Sequence, residues 1–247
     1  MKNEATKQQF YHQLGSDYYW FAGHYALADM LLARFRRKHA ANLLNIGCGP
    51  NEFSPASSGT WLISADYSFE ACRLAKQRQP LAAVVCCDAQ QLPFRNGSIG
   101  TVIALELLEH LEQDQLAGRE FGRVLERDGI VLVSVPAYRF LWGSHDVWNR
   151  HVRRYSTGSF RQLVDGTELR ISYLTYYKFL FVIPLFLFRN IKKLLGGAEA
   201  SHDFLPVPRP LNALLRGYLL FEAVIARRVP LPAGVSLFSV LSRSDHR

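Results

Sequence analysis

Three groups of residues have types and spacings that could carry chemistry. The first is a series of run ends. Gly47-Cys48-Gly49 follows the apolar run NLLNI, and its missing side chains let backbone amides approach a ligand. Asp66 ends the run TWLISAD, 19 residues after Gly47, where an acid can accept hydrogen bonds from a ribose diol. Asp88-Ala89 ends LAAVVCCD; a carboxylate there can accept an exocyclic amine while the next amide donates to the ring. The second group is Leu105, Glu106, Glu109 and His110 in LELLEHLE. The third lies in AYRFLWGSHDVWNRHVRRYS. His145 and His151 there, with His110, suit removal of a proton near neutral pH. Asp146 could orient one of these imidazoles, Tyr138 and Tyr155 could line a second substrate's pocket, and Arg153 and Arg154 could hold a carboxylate or phosphate.

The elements that must position these groups follow from the hydrophobic pattern. NLLNI, TWLISAD, LAAVVCCD, IGTVIAL and IVLVSVP read as five strands, with SFEACRLAKQRQ and ELLEHLEQDQLAGREFGRVLE as helices between them. Asp128-Gly129 reads as the turn into the fifth strand. Short apolar runs separated by helical segments predict an α/β, doubly wound, mostly parallel sheet. TGSFRQLVDG predicts a short helix, ELRISYLTYY a sixth strand and GVSLFSVLSR a last one. The more than fifty residues between those two strands are too long and apolar for a simple loop and predict a helical insertion. In such sheets ligands bind beyond the carboxyl ends of the strands, where Gly49, Asp66, Asp88 and Glu106 fall. The first two strand ends alone would also suit NAD. The third decides for one compact nucleoside, and Asn51 stands where a dinucleotide turn would carry its third glycine.

LLNIGCGP, ISADYS, CCDAQQLPF, TVIALELLEHL and LERDGIVLVSVPA, in that order and spacing, resemble the class I S-adenosylmethionine-dependent methyltransferases across about residues 40 to 140. The resemblance implies a Rossmann-like, seven-stranded sheet whose last strand is reversed. It implies S-adenosyl-L-methionine as cofactor and S-adenosyl-L-homocysteine as product. It places Asn45, Gly47, Cys48, Gly49, Asp66, Tyr67, Asp88, Ala89, Leu105, Glu106 and His110 against the cofactor, leaving His145, His151, Tyr138 and Tyr155 for the acceptor. Asn45 and Gly100 stand where the family often has acids. The segments SVPAYRFLWGSHDVWNRHVRRYS and LPAGVSLFSVLSR resemble a bacterial branch of the family (type 11/12-like). Glu106-x-x-Glu109-His110 resembles a motif of ubiquinone-biosynthesis O-methyltransferases, where it is associated with a divalent metal; a cofactor contact is the reading taken here, and no metal is assigned.

The chain has 247 residues, 49% hydrophobic and 20% charged, and a formal charge of +8. The charge points to an anionic partner or a solvated basic face. The run FLFVIPLFLF, Phe179 to Phe188, is too short to span a bilayer and is broken by Pro184; it reads as a buried helix or strand, or, from its basic flanks, as a segment in a membrane interface. Four cysteines without a zinc spacing predict buried thiols. No secretory signal is visible, which predicts a cytoplasmic protein with peripheral contact at the inner membrane surface. The expected organisation is an N-terminal helical arm or lid (1–40), a methyltransferase core (41–177), an apolar helical insertion forming the acceptor site or a membrane contact (178–232) and the last strand (233–247). The expected activity is methylation, on oxygen, of an aromatic, lipid-like or carrier-bound small molecule, with a His base, in a biosynthetic or secondary-metabolite pathway. A nucleic-acid methyltransferase, or a non-catalytic membrane-associated or partner-binding protein with a vestigial cofactor site, is the alternative.

Overall fold

The structure is a computed structural model that describes residues 17–36, 42–49, 53, 61–80, 82–194, 202–204 and 207–244. Among the described residues there are seven strands: β1 Asn42–Ile46, β2 Trp61–Asp66, β3 Ala83–Cys86, β4 Ile99–Leu105, β5 Leu125–Pro136, β6 Leu169–Tyr177 and β7 Ser236–Arg243. They form one sheet in the order β3-β2-β1-β4-β5-β7-β6. The first five run parallel, and β7 is antiparallel to both β5 and β6. This is the doubly wound sheet with a reversed last strand that the sequence predicts.

Side chains alternate across each central strand, so every strand feeds two cores. Leu44, Val102, Ala104, Val131 and Val133 face one core, closed by α3 (Asp114–Val124) through Phe121 and Val124 and by α5 (Thr157–Asp165) through Phe160 and Leu163. Leu43, Ile103, Leu132, Phe238 and Val240 face the other, closed by α1 (Tyr19–Phe35) through Leu27 and Leu31 and by α7 (Arg209–Ala226) through Leu219 and Ala223. The remaining helices are α2 (Phe69–Arg78), α4 (Ser144–Asn149) and α6 (Val182–Leu194). Local chemistry sets several boundaries. Ser68 caps α2 by accepting from the Ala71 amide, and Ser156 and Ser159 form a reciprocal capping box at α5.

Three expectations are revised. The helix after β4 begins at Asp114 rather than Glu106. Glu106 sits in the left-handed region (φ 51°), and Leu108–His110 form only a 3-10 turn, so Glu106 and His110 do not share an α-helical face. Strand β5 starts at Leu125, and Asp128-Gly129 lies in an irregular stretch where the β4 register jumps between Ile99 and Thr101. Cys86 is exposed, while Cys48 and Cys72 are buried and Cys87 is half-buried; all four are free thiols. Of the expected N-terminal helical arm (1–40), residues 1–16 and 37–40 lie outside the described residues, as do Pro50 and Asn51.

Gly234 leads into β7 where the chain passes over Tyr177: a Cβ there would lie 2.2 Å from the Tyr177 carbonyl oxygen and 2.5 Å from its nitrogen. Neither backbone atom can rotate away. Gly234→Ala is expected to cost about 2 kcal/mol of stability, measured as a lower midpoint in urea denaturation; an unchanged midpoint would show that the β6–β7 junction is not tightly packed.

Candidate active site

The sheet's strand order reverses between β1 and β4, and the site is built at their carboxyl ends. Gly47 (φ 71°) and Gly49 (φ 54°) make the turn after β1 in the left-handed region. A Cβ on Gly47 would run into Leu107, whereas one on Gly49 would meet nothing within 4 Å, so the turn opens onto free space. Asp66 fixes the turn from the next strand: its Oδ2 accepts the Gly49 amide (2.9 Å) and its Oδ1 the Ser68 amide (2.8 Å). Asp88 ends β3's extension, its carboxylate accepting the Gln90 amide at 2.8 Å, with buried Ala89 beside it. Tyr67 is exposed next to Asp66. Burial pushes the Cys48 thiol far above its ordinary range, so it stays protonated and is not a nucleophile.

Two adjoining cavities occupy the crevice. One, of about 270 Å³, takes in Asn45, Gly47, Cys48, Leu105, Glu106, His110, His145 and His151, together with Trp20, Phe21, His24 and Tyr25 of α1. The other, of about 300 Å³, is walled by Phe181, Pro184, Leu185 and Phe188 at α6, with Arg154 and Ser236. Trp20, Glu106, His145, His151 and Phe204 line both. Eight of the sequence-selected residues therefore meet in one cavity, while Asp66, Tyr67, Asp88 and Ala89 lie along the neighbouring strand ends, outside its lining. Tyr138 and Tyr155 line neither cavity. The Tyr138 ring stacks on Tyr176, and Tyr155 is buried, its hydroxyl donating to Asp114 at 2.7 Å. Their apolar bodies find better burial in the core than in a wet cleft.

The Asp146 carboxylate, fully buried, organises the part of the crevice around His151, Arg154 and α6. It accepts from His151 Nδ1 (2.9 Å), Arg154 Nε (2.8 Å) and the Gly143 amide (2.9 Å), and Arg189 of α6 lies at 3.3 Å. Burial pushes its carboxyl up, but the His151 hydrogen bond and the two guanidinium charges outweigh this and hold it well below the usual carboxylate range. Arg189 also pairs with Asp203, tying α6 to Phe204. Arg153 pairs with the buried Asp114, so of the two expected anion-binding arginines Arg154 alone lines one of these two cavities. Glu109 is fully buried, and neither carboxylate oxygen has a hydrogen-bond partner. Burial, and then Glu106, pushes its pKa well up. Glu109, His110 and His151 each bring one potential ligand atom within 4.8 Å of the others, a geometry that could take a cation.

A buried chain from α1 to β5 was not foreseen. Lys178 Nζ lies 3.3 Å from His24 Nδ1, His24 Nε2 3.0 Å from Ser134 Oγ, and Ser134 Oγ 3.0 Å from Glu106 Oε1. One tautomer satisfies every step: lysine donates to Nδ1, Nε2–H to the hydroxyl, and the hydroxyl to the carboxylate. Lys178 also sits under the Trp20 ring (3.8 Å to its centroid) in a left-handed conformation (φ 66°). His24 and Lys178 are 154 positions apart, so no local spacing signals the pair.

The fold and the glycine turn with its strand-end acids define a Rossmann-like methyltransferase domain. Residues 44–133, from β1 to β5, match the methyltransferase domain family, and the chain carries a class I S-adenosylmethionine-dependent methyltransferase domain. A probable S-adenosylmethionine-dependent methyltransferase of Mycobacterium tuberculosis is 29% identical over 120 residues, 48% of this chain and 43% of the relative. A malonyl-[acyl-carrier protein] O-methyltransferase of Hamiltonella defensa is 26% identical over 46% of each chain. A tRNA (carboxymethyluridine(34)-5-O)-methyltransferase of Macaca fascicularis is 25% identical over 47% of this chain and 17% of its own length. The chain thus spans less than half the length of these relatives. Among solved structures, a methyltransferase of Haloferax volcanii in complex with the Trm112 activator shares the fold, with a TM-score of 0.62 at 16% identity, over 96% of this chain and 97% of that one.

S-adenosyl-L-methionine is the cofactor of this class, and the site fits it: the open turn at Gly49 offers room, and Asp66 and Asp88 offer acceptors. Asp66→Ala is expected to weaken S-adenosylmethionine binding at least about tenfold by calorimetry; unchanged affinity would remove Asp66 from the cofactor site. The buried lysine gives a pH signature. Burial pushes the Lys178 ammonium down to about 7, with Glu106 and Glu222 opposing the shift. Above pH 7 the unfolded chain keeps a proton that the folded chain has lost, so this group makes stability rise with pH until its ordinary value of 10.5. Lys178→Met should melt higher than wild type near pH 6, with the gap narrowing as pH rises; a pH-independent gap would show that Lys178 is not buried as an amine.

Proposed function

We propose that the protein transfers the methyl group of S-adenosylmethionine to the oxygen of a small, largely apolar acceptor. The observation that carries this reading is the pair of adjoining cavities that share Trp20, Glu106, His145, His151 and Phe204. The first has the glycine turn in its wall and suits the methionine end of the cofactor. The second has an apolar wall at α6 and suits a lipid-like, aromatic or carrier-bound acceptor, a class supported by the relative that methylates malonyl-[acyl-carrier protein]. When bound, the cofactor supplies an already activated methyl group on a sulfonium, so the chain's own task is alignment, exclusion of water and removal of a proton.

His151 is assigned the proton. Asp146 accepts from Nδ1, which fixes the tautomer and leaves Nε2 as the basic atom beside both cavities. His151 Nε2 would take the acceptor's hydroxyl proton as that oxygen gains the methyl group the cofactor would supply. Asp146, kept ionised by Arg154 and Arg189, stabilises the imidazolium that results. His145 and Trp20 close the junction against water. Asn45 and Glu106 face the cofactor end; Glu106 offers a carboxylate to its amino group. The four free thiols support a reducing compartment, and we place the protein in the cytoplasm, in a biosynthetic role.

A second reading, methylation of RNA, draws on the charge of +8 and on the tRNA methyltransferase among the relatives. The apolar acceptor wall weighs against it. One experiment separates the two: incubate the protein with tritiated S-adenosylmethionine and a bacterial extract, then fractionate. Label is expected in the organic-soluble fraction, and label confined to RNA would sink the small-molecule reading. His151→Gln should lower that incorporation about a hundredfold while leaving cofactor affinity unchanged.

A further inference from the structure

We propose that the outer face of α6 seats on an anionic membrane surface, and that the acceptor is an apolar molecule resident in that membrane. The proposal deepens the acceptor reading above and rests on it for the substrate, though not for the surface. Helix α6 is apolar on two sides that do different things. Leu185, Phe188 and Arg189, spaced i, i+3, i+4, face inward: the first two wall the acceptor cavity and the third joins the Asp146 network. Ile183, Leu187, Ile191 and Leu194, spaced i, i+4, i+8, i+11, share the opposite side and are exposed, Ile183 by 70% and Leu194 by 85%. Phe179 and Leu180 extend this stripe before the helix begins, and both are exposed too.

A soluble surface does not keep such a stripe without a use, and its surroundings say what covers it. From Phe179 to Pro232 the sequence carries seven basic residues, of which Arg189 is buried, and three acidic ones. Of the acids, Glu222 is buried under Phe179 and Asp203 is bound to Arg189. Lys193 on α6, Arg209 at the start of α7 and Arg228 just past its end are exposed. An apolar stripe with exposed Lys193 in the last turn of the same helix matches a bilayer interface with anionic headgroups. A second copy of this chain fits poorly, because pairing the face with itself would bring like charges together. Among the described residues no helix is long and apolar enough to cross a membrane, so the contact is a seat and not a span. The acceptor cavity then lies on the far side of one helix from the lipid, a separation of about 10 Å.

The test is co-sedimentation of the full chain with vesicles of phosphatidylcholine plus phosphatidylglycerol, against phosphatidylcholine alone, alongside calorimetry with S-adenosylmethionine. Wild type is expected to sediment with the anionic vesicles and to be released by salt. The double substitution Ile183→Glu with Leu187→Glu, at exposed positions that leave the cavity wall intact, should cut vesicle partitioning at least about tenfold and keep cofactor affinity. Lys193→Glu should weaken partitioning without changing cofactor affinity. Wild-type protein that binds the cofactor yet stays in solution with both vesicle types overturns the membrane seat and leaves the methyltransferase reading standing. Vesicle binding without cofactor affinity does the reverse. A dimer in sedimentation velocity that the double substitution dissolves would assign the stripe to a second copy and overturn the proposal.

Discussion

The site depends on one buried carboxylate. Asp146 has no exposure, and without its partners the charge would not remain in the interior. Those partners come from three places: His151 and Arg154 from the segment leading to α5, Arg189 from α6 and the Gly143 amide from just before α4. Satisfying one anion therefore pins two separate stretches of chain to each other. Through Arg189 and Asp203 the constraint passes to Phe204, which meets Trp20, Phe21 and His145 in ring contacts above the crevice. The same carboxylate that selects the His151 tautomer holds the apolar wall in position, so the imidazole and the second cavity share a single support.

The opposite side of the crevice is held by a different device. Lys178, His24, Ser134 and Glu106 link the junction after β6 to α1, β5 and the end of β4. Burial, and then the lysine charge, keeps His24 neutral, so it can accept from the amine on one side and donate to the hydroxyl on the other. The two networks meet at Glu106 and His151, which border both cavities. The left-handed backbone of Glu106 fits this position: it turns the chain away from β4 in time for the carboxylate to stand in the crevice instead of on a helix face.

Much of this was legible in the sequence because it is local. NLLNI and IGTVIAL became β1 and β4 without adjustment, and the paired Gly47 and Gly49 gave the turn, because buried parallel strands and left-handed turns each leave a compositional mark. The reversed last strand came through the family resemblance, and Asp146 orienting an imidazole came from its nearness to His151. Other features left no local mark. LELLEHLE has helical spacing, yet Glu106 breaks it. Tyr138 and Tyr155 sit beside the right residues, but their rings turn into the core. Lys178 reads as the basic flank of an apolar run, and only the tertiary fold buries it against an imidazole 154 positions away.

The place of β7 has a consequence for how the molecule is made. It lies between β5 and β6, and it pairs Ser236 with Pro136 across a hundred positions of sequence. During synthesis on the ribosome β5 and β6 both emerge before the strand that joins them. Each must wait with an open edge, a state prone to wrong pairing. Helix α7, the packing partner of α1, also emerges late. The glycine turn and its strand-end acids can therefore be in place on the nascent chain while the apolar cavity at α6 cannot, and Phe238 and Val240 complete the second core only when β7 arrives.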